Sequence, residues 1–177
     1  PTVTTTYTVT VTNASGCTST ASRIVTVNSN PVASVSPATA VICSDASQVL
    51  TASGGTSYVW STGGTTAAVT VSPATTATYT VTVTNASGCT STASRVVTVN
   101  TSPELTGITP NCTGSTLNSV TVSGSVAGGG ALEYNVNGGA YQSSTTFTGL
   151  VAGTHTFGVR VVSTGCTDVI SQNGQSN

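Results

Sequence analysis

The chain has 177 residues, among them 39 Thr, 26 Val, 25 Ser and 19 Gly, with three basic side chains, four acidic ones, one His and a formal net charge of −1. Average soluble domains carry about 25% charged residues against 4% here, and β-branched residues suited to pleated sheets fill the deficit. So little ionisable chemistry is too little for most enzyme classes, and without a cationic field there is nothing to recruit nucleic acid or anionic lipid.

Lys and Met are absent, Leu and Ile together number 9, and no window has the apolar period of an amphipathic helix. The expected class is therefore all-β. No apolar run is long enough for a membrane span, so no direct membrane insertion is expected. The N-terminus lacks the charged and apolar regions of a signal peptide, which is expected if a leader has been removed or if this is an internal segment.

Self-comparison reveals a repeat. Residues 73–100 (PATTATYTVTVTNASGCTSTASRVVTVN) match residues 1–28 (PTVTTTYTVTVTNASGCTSTASRIVTVN) at 24 of 28 positions, with a constant offset of 72, as from Tyr7 to Tyr79. Near-identity at a fixed period implies duplicated modules, each about the size of a small β-sandwich. On this registration residues 1–28 are the C-terminal half of one unit, residues 29–100 a complete unit and residues 101–177 a diverged third. GTHTFGVRVVSTGCTD (153–168) of the third lies over TATYTVTVTNASGCTS (76–91) of the second. Pro31 and Pro103 mark short connections with little slack, so the modules are expected to follow one another as a semi-rigid rod.

In chain order, the complete unit offers strands at 32–36, 48–53, 56–60, 67–72, 78–85 and 94–99, broken by Gly, Pro, Ser and Asn. Along the fifth, Tyr79, Val81 and Val83 fall on a core face while Thr80, Thr82 and Thr84 face solvent. Thr on the outer face keeps such a sandwich β and soluble almost without charge. NASG at 85–88 is a turn. Trp60 and Tyr79 occupy the places of a core tryptophan and a corner tyrosine, and both are expected in the core. An antibody domain would place Cys two residues after that tyrosine; here the residue is Val81.

The five cysteines are Cys17, Cys43, Cys89, Cys112 and Cys166. Each complete module has one near its start and one before its last strand, which suggests the pairs Cys43–Cys89 and Cys112–Cys166, with the partner of Cys17 in an absent half-module. Unpaired thiols and a metal site compete with this reading, but no CxxC pair exists and His155 is not in a ligand-spaced cluster. A sandwich of this size buries only about 60% of its unfolded surface. A bridge would add roughly 3–4.7 kcal/mol, and such bridges point to an oxidising compartment and hence to secretion.

YTVTVTNASGCTSTAS, preceded by SYVWSTGGTTAAVTVSPATTAT, resembles the Ig-like repeats of very large surface proteins of Bacteroidetes-type bacteria. ALEYNVNGGAYQSSTTFTGLVAGTHTF resembles the SprB-repeat modules of gliding-motility adhesins. The resemblance implies an extracellular, surface-displayed stalk of tandem β-sandwiches; similar modules serve as spacers in enzymes exported by the type IX route. His155 departs from the Tyr usual in these repeats, and residues 172–177 (QNGQSN) lack the Val–Thr alternation of the other last strands, as a truncated, frayed or differently completed end would.

The carboxylates Asp45, Glu104, Glu133 and Asp168 are scattered, and calcium would need Asp45 folded toward Glu104; solvated charges are the default, and no metal or other cofactor is expected. No GxSxG elbow accompanies His155, which reads as a corner or core residue, and the glycines at 128–130 precede neither Lys nor a helix. Asn13, Asn85, Asn100 and Asn111 begin N-x-S/T sequons of the kind chance supplies in so Thr-rich a chain, and none is assigned a glycan.

The leading functional reading is a non-catalytic stalk segment of a secreted bacterial surface adhesin, its partners being neighbouring repeats of the same chain. The alternatives are a fibre subunit completed by a strand from another copy, and a carbohydrate-binding or spacer module of a secreted enzyme. The last would bind surface polysaccharide through exposed aromatics, for which Tyr58, Tyr134 and above all Tyr141 are the candidates. Trypsin has only Arg23, Arg95 and Arg160 to attack, two of them beside or within expected strands. The intact protein should resist trypsin until its disulfides are reduced, and rapid native cleavage after Arg95, seen by electrophoresis, would contradict the strand assignment.

Overall fold

The computed structural model describes residues 1–113, 116–151 and 153–174. Every regular element among them is a β-strand, and the fold is all-β and sandwich-like. In chain order these are β1 (Thr5–Thr12), β2 (Thr18–Val25), β3 (Ser34–Ser36), β4 (Val41–Cys43), β5 (Gln48–Ser53), β6 (Ser57–Trp60), β7 (Ala68–Val71) and β8 (Ala77–Thr84). There follow β9 (Thr90–Asn100), β10 (Glu104–Thr113), β11 (Thr116–Ser125), β12 (Leu132–Val136), β13 (Thr146–Thr148), β14 (Gly153–Val161) and β15 (Thr167–Gly174). The sheets run β1-β2, β3-β5-β7, β4-β9-β8-β6, β10-β11-β13 and β12-β14-β15. All strands expected between residues 32 and 99 are present, and β4 is an addition.

By contacts the chain forms two compact units that interleave in sequence. The first comprises Pro1–Thr39, Val49–Thr70 and Thr78–Val96; the second comprises Ala40–Gln48, Val71–Ala77 and Val97–Asn177.

In the first unit the alternation along β8 resolves as its residues require: Val81 and Val83 are 0% exposed, while Thr80 faces solvent. Trp60, in register with Val81, is buried with its indole N–H donating to the Thr66 carbonyl at 3.0 Å. Tyr79, expected in the core, lies half buried at its margin. Arg95 is tied down through its guanidinium, which donates to the carbonyls of Ala38 and, at 2.8 Å, Val35.

The hairpin β1–β2 carries nearly the same sequence as β8–β9 and repeats its local devices. The Thr4 hydroxyl accepts from Val27 N at 3.0 Å as the Thr76 hydroxyl accepts from Val99 N at 3.1 Å. The surroundings differ. Val9 and Val11, the counterparts of Val81 and Val83, are 56% and 61% exposed. Tyr7, Val9, Ala21 and Arg23 line an open groove of about 290 Å³ on this face. Arg23 is exposed too, within the paired strand β2.

The second unit packs two sheets face to face. The sheet β10-β11-β13 contributes Leu105, Val120, Val122 and Phe147, and β12-β14-β15 contributes Tyr134, Phe157 and Val159, with the two Phe rings 5.9 Å apart. Of the terminal residues expected to depart from the pattern, 172–174 pair with β14, and residues 175–177 lie outside the described residues.

One local sequence in two environments makes a direct test. Val81→Ala should cost about 2 kcal/mol for the lost methyl burial and residual cavity, whereas Val9→Ala should stay within about 0.5 kcal/mol. Urea unfolding of the two variants would read the difference.

Candidate functional site

The chemistry-bearing feature of this chain is a cross-linked strand junction, and it is assembled from β4. Three residues make β4, and they pair in parallel with the end of β9: Val41 with Thr98, Ile42 with Val99, Cys43 with Asn100. Ala40 extends the contact, its carbonyl accepting from Thr98 N at 2.9 Å. Beyond Cys43, Ser44 N donates to the Asn100 carbonyl at 2.8 Å, and the Ser44 hydroxyl accepts from Ser102 N at 2.8 Å. The residues joining β9 to β10 are thereby held against the end of β4.

On the other side of the junction, Asp168 at the start of β15 accepts from Leu105 N at 3.1 Å through Oδ2 and from Val169 N at 2.8 Å through Oδ1. Two residues before Asp168, Cys166 lies buried in the β14–β15 turn. Its sulfur is bonded to that of Cys43, with a Cα–Cα separation of 5.6 Å and a sequence separation of 123 residues.

This bond corrects the expected pairs Cys43–Cys89 and Cys112–Cys166. Cys17, Cys89 and Cys112 are free thiols. The reason is strand length. Cys43 is in register with the last residue of β9, whereas Cys89 immediately precedes its first, and eleven residues of strand span about 36 Å, far beyond the reach of a disulfide. The same holds along β10. Cys112 lies near its end, while the Asp168 contact to Leu105 places the β14–β15 turn at its beginning.

The other candidate residues are distributed as follows. His155 is buried and doubly bonded: Nε2 donates to the Val151 carbonyl at 2.8 Å, and Nδ1 accepts from the Asn137 amide at 3.0 Å. In this arrangement neither ring nitrogen is left for proton transfer. Tyr134 is in the core, and the Tyr58 hydroxyl donates to the Gly55 carbonyl at 2.9 Å. The Tyr141 ring is covered on one face by the Arg160 guanidinium, 4.4 Å from its centroid, and Arg160 is held in turn by Glu133 at 2.6 Å. These tyrosines do not form a coplanar platform of free rings. Asp45 and Glu104 are exposed, and among the described residues no group of three or more His, Cys, Asp or Glu is placed to hold a metal ion. Asn13 and Asn85 accept from the backbone N–H groups of their own turns, Ser15 and Cys17 in one and Ser87 and Cys89 in the other.

No protein-family profile and no curated protein matches the chain. Among solved structures, it is similar to a Ca2+-stabilized adhesin that helps an Antarctic bacterium reach out and bind ice, with 18% identity and a TM-score of 0.36. The similarity covers 98% of this chain and 56% of that one.

Closing a loop of 123 residues lowers the entropy of the unfolded chain by an amount worth about 5 kcal/mol. Cys166→Ser should therefore cost 3 to 5 kcal/mol, roughly the loss expected for a native bridge, while Cys89→Ser and Cys112→Ser change stability by less than about 0.5 kcal/mol. Urea midpoints under non-reducing conditions separate this pattern from pairing within each module, in which all three substitutions would matter.

Proposed function

We propose that this chain is a non-catalytic stalk segment of a secreted bacterial cell-surface adhesin, of the gliding-motility type suggested by its repeat sequences. Its partners in this role are neighbouring repeats of the same chain. The observation that carries the reading is the Cys43–Cys166 bond. Tension applied to the two ends of the chain passes from Cys43 to Cys166 through sulfur, so the residues between them are never pulled. A stalk needs that property and a soluble binding module does not. The disulfide also suits an oxidising, extracellular location. Thr-covered strand faces keep the segment inert toward solvent.

A second reading, a fibre subunit completed by another copy, is favoured by the open apolar face of β1–β2, where Val9 and Val11 stand exposed. It predicts polymers whose length grows with concentration. The stalk reading predicts a monomer, so sedimentation velocity over a hundredfold range of concentration distinguishes the two.

Single-molecule pulling from the termini tests the stalk directly. With the bond intact, the 123 residues between its ends should contribute no extension; reduction should release about 430 Å of additional contour length at 3.5 Å per residue. Release of that length from the oxidised protein would overturn the proposal.

A further inference from the structure

The five cysteines fall into two types by their place in the repeat. Cys17, Cys89 and Cys166 each follow a glycine with positive φ: 79° at Gly16, 79° at Gly88 and 73° at Gly165. Each also closes its turn by accepting at its carbonyl, from Asn13 N at 2.9 Å, Asn85 N at 3.0 Å and Val161 N at 2.9 Å. These are turn cysteines. Cys43 and Cys112 share a place in the sequence, after a junction proline and before β5 or β11, although Cys43 ends β4, which pairs in parallel with β9, and Cys112 lies in β10, which pairs antiparallel with β11. These are start cysteines. The bond that forms joins one of each, and it runs forward from the repeat of residues 29–100 into residues 101–177.

A second observation shows where the next such bond would lie. The start cysteine Cys43 is in register with Asn100. One period earlier, the counterpart of Asn100 is Asn28, and the Cys89 sulfur lies 3.8 Å from the Asn28 carbonyl. Asn85 of the same turn donates to Ser29 O at 2.8 Å. Cys89 thus already rests against the residue beside which the start cysteine of a preceding repeat would be registered. Residues 98–100 are strand because β4 pairs with them; residues 26–28, with no such strand beside them, are not.

We propose that the cysteines belong to a forward-linked series, in which the start cysteine of each repeat bonds the turn cysteine of the next. The partners of Cys17 and Cys89 are then start cysteines of preceding repeats, and the partner of Cys112 is the turn cysteine of a following one. One rule accounts for the bond observed and for all three free thiols. Each link forms by oxidation of two thiols: two S–H bonds break, one S–S bond forms, and two electrons and two protons pass to a small disulfide, which leaves as two thiols. The inference rests on the tandem-repeat part of the stalk reading. It adds that successive links overlap, so that neighbouring repeats are interlocked covalently.

The test is the full chain with a second copy of residues 29–100 inserted ahead of residue 29, refolded with oxidised glutathione and alkylated. The chain without the insertion should take up three alkyl groups. The lengthened chain should also take up three, because its two added cysteines give one more bond, between Cys43 of the first copy and Cys89 of the second. Cys89→Ser in the second copy should then leave one more thiol to alkylate, namely Cys43 of the first copy. Cys89→Ser in the first copy should leave one fewer, since Cys89 there is already free. The reverse pattern, or five alkyl groups in the lengthened chain, would overturn the series. If Cys43–Cys166 persists in that case, the tension-bypass reading survives; if peptide mapping finds Cys43 and Cys166 unbonded in the chain without the insertion, both fall.

Discussion

The parallel pairing of three residues, Val41 to Cys43, with the end of β9 is the constraint on which the rest depends. Antiparallel neighbours can be joined by tight turns, but a parallel neighbour must be brought in by a longer connection. Here that arrangement delivers the β4 end to the place where the chain leaves β9 for β10. The Ser44–Ser102 contacts and the Cys43–Cys166 bond both follow from this placement. Without β4, Cys43 would have no reason to lie beside the β14–β15 turn, and the bond would close a different loop or none.

The hairpin β1–β2 and the pair β8–β9 separate local preference from packing. Their turns, register-closing threonines and strand alternation agree, so these are set within some thirty residues of sequence. Burial is not. Val81 is fully enclosed and Val9 is open, although the residues around them are nearly identical. What distinguishes the two valines is what the remainder of the chain lays over them. β-propensity of the Thr–Val pattern is thus sufficient for the strand but silent about which face becomes core.

This explains how far the fold was legible in advance. The all-β class and the alternation along β8 follow from composition and a period of two, signals that a single sequence carries well, and the burial of Trp60 from its place on a middle strand. β4 was not legible, because three residues show no period and VIC differs little from any short apolar run. The disulfide was illegible for the same reason: a pairing argument based on position within each repeat assumes that both cysteines of a repeat lie at one end of it. The length of β9 shows that they lie at opposite ends. The arginine anchor was equally hidden, since nothing in the shared string STASR distinguishes Arg95, bound to two carbonyls, from the exposed Arg23.

A chain with so few charges has little electrostatic means of keeping its strand edges apart, and an uncovered two-stranded ribbon is the usual point of entry for aggregation. The ribbon β1–β2 has two free edges and an apolar face, on which Tyr7, Val9 and Val11 are exposed. Its counterpart β8–β9 is protected by β6 on one edge and β4 on the other. Within residues 29–100 the early strands β4 and β6 thus cover edges that the late strands β8 and β9 would otherwise expose. Covalent links between repeats would strengthen that cover where tension would otherwise peel it away, and a Thr-rich surface then suffices in place of charge.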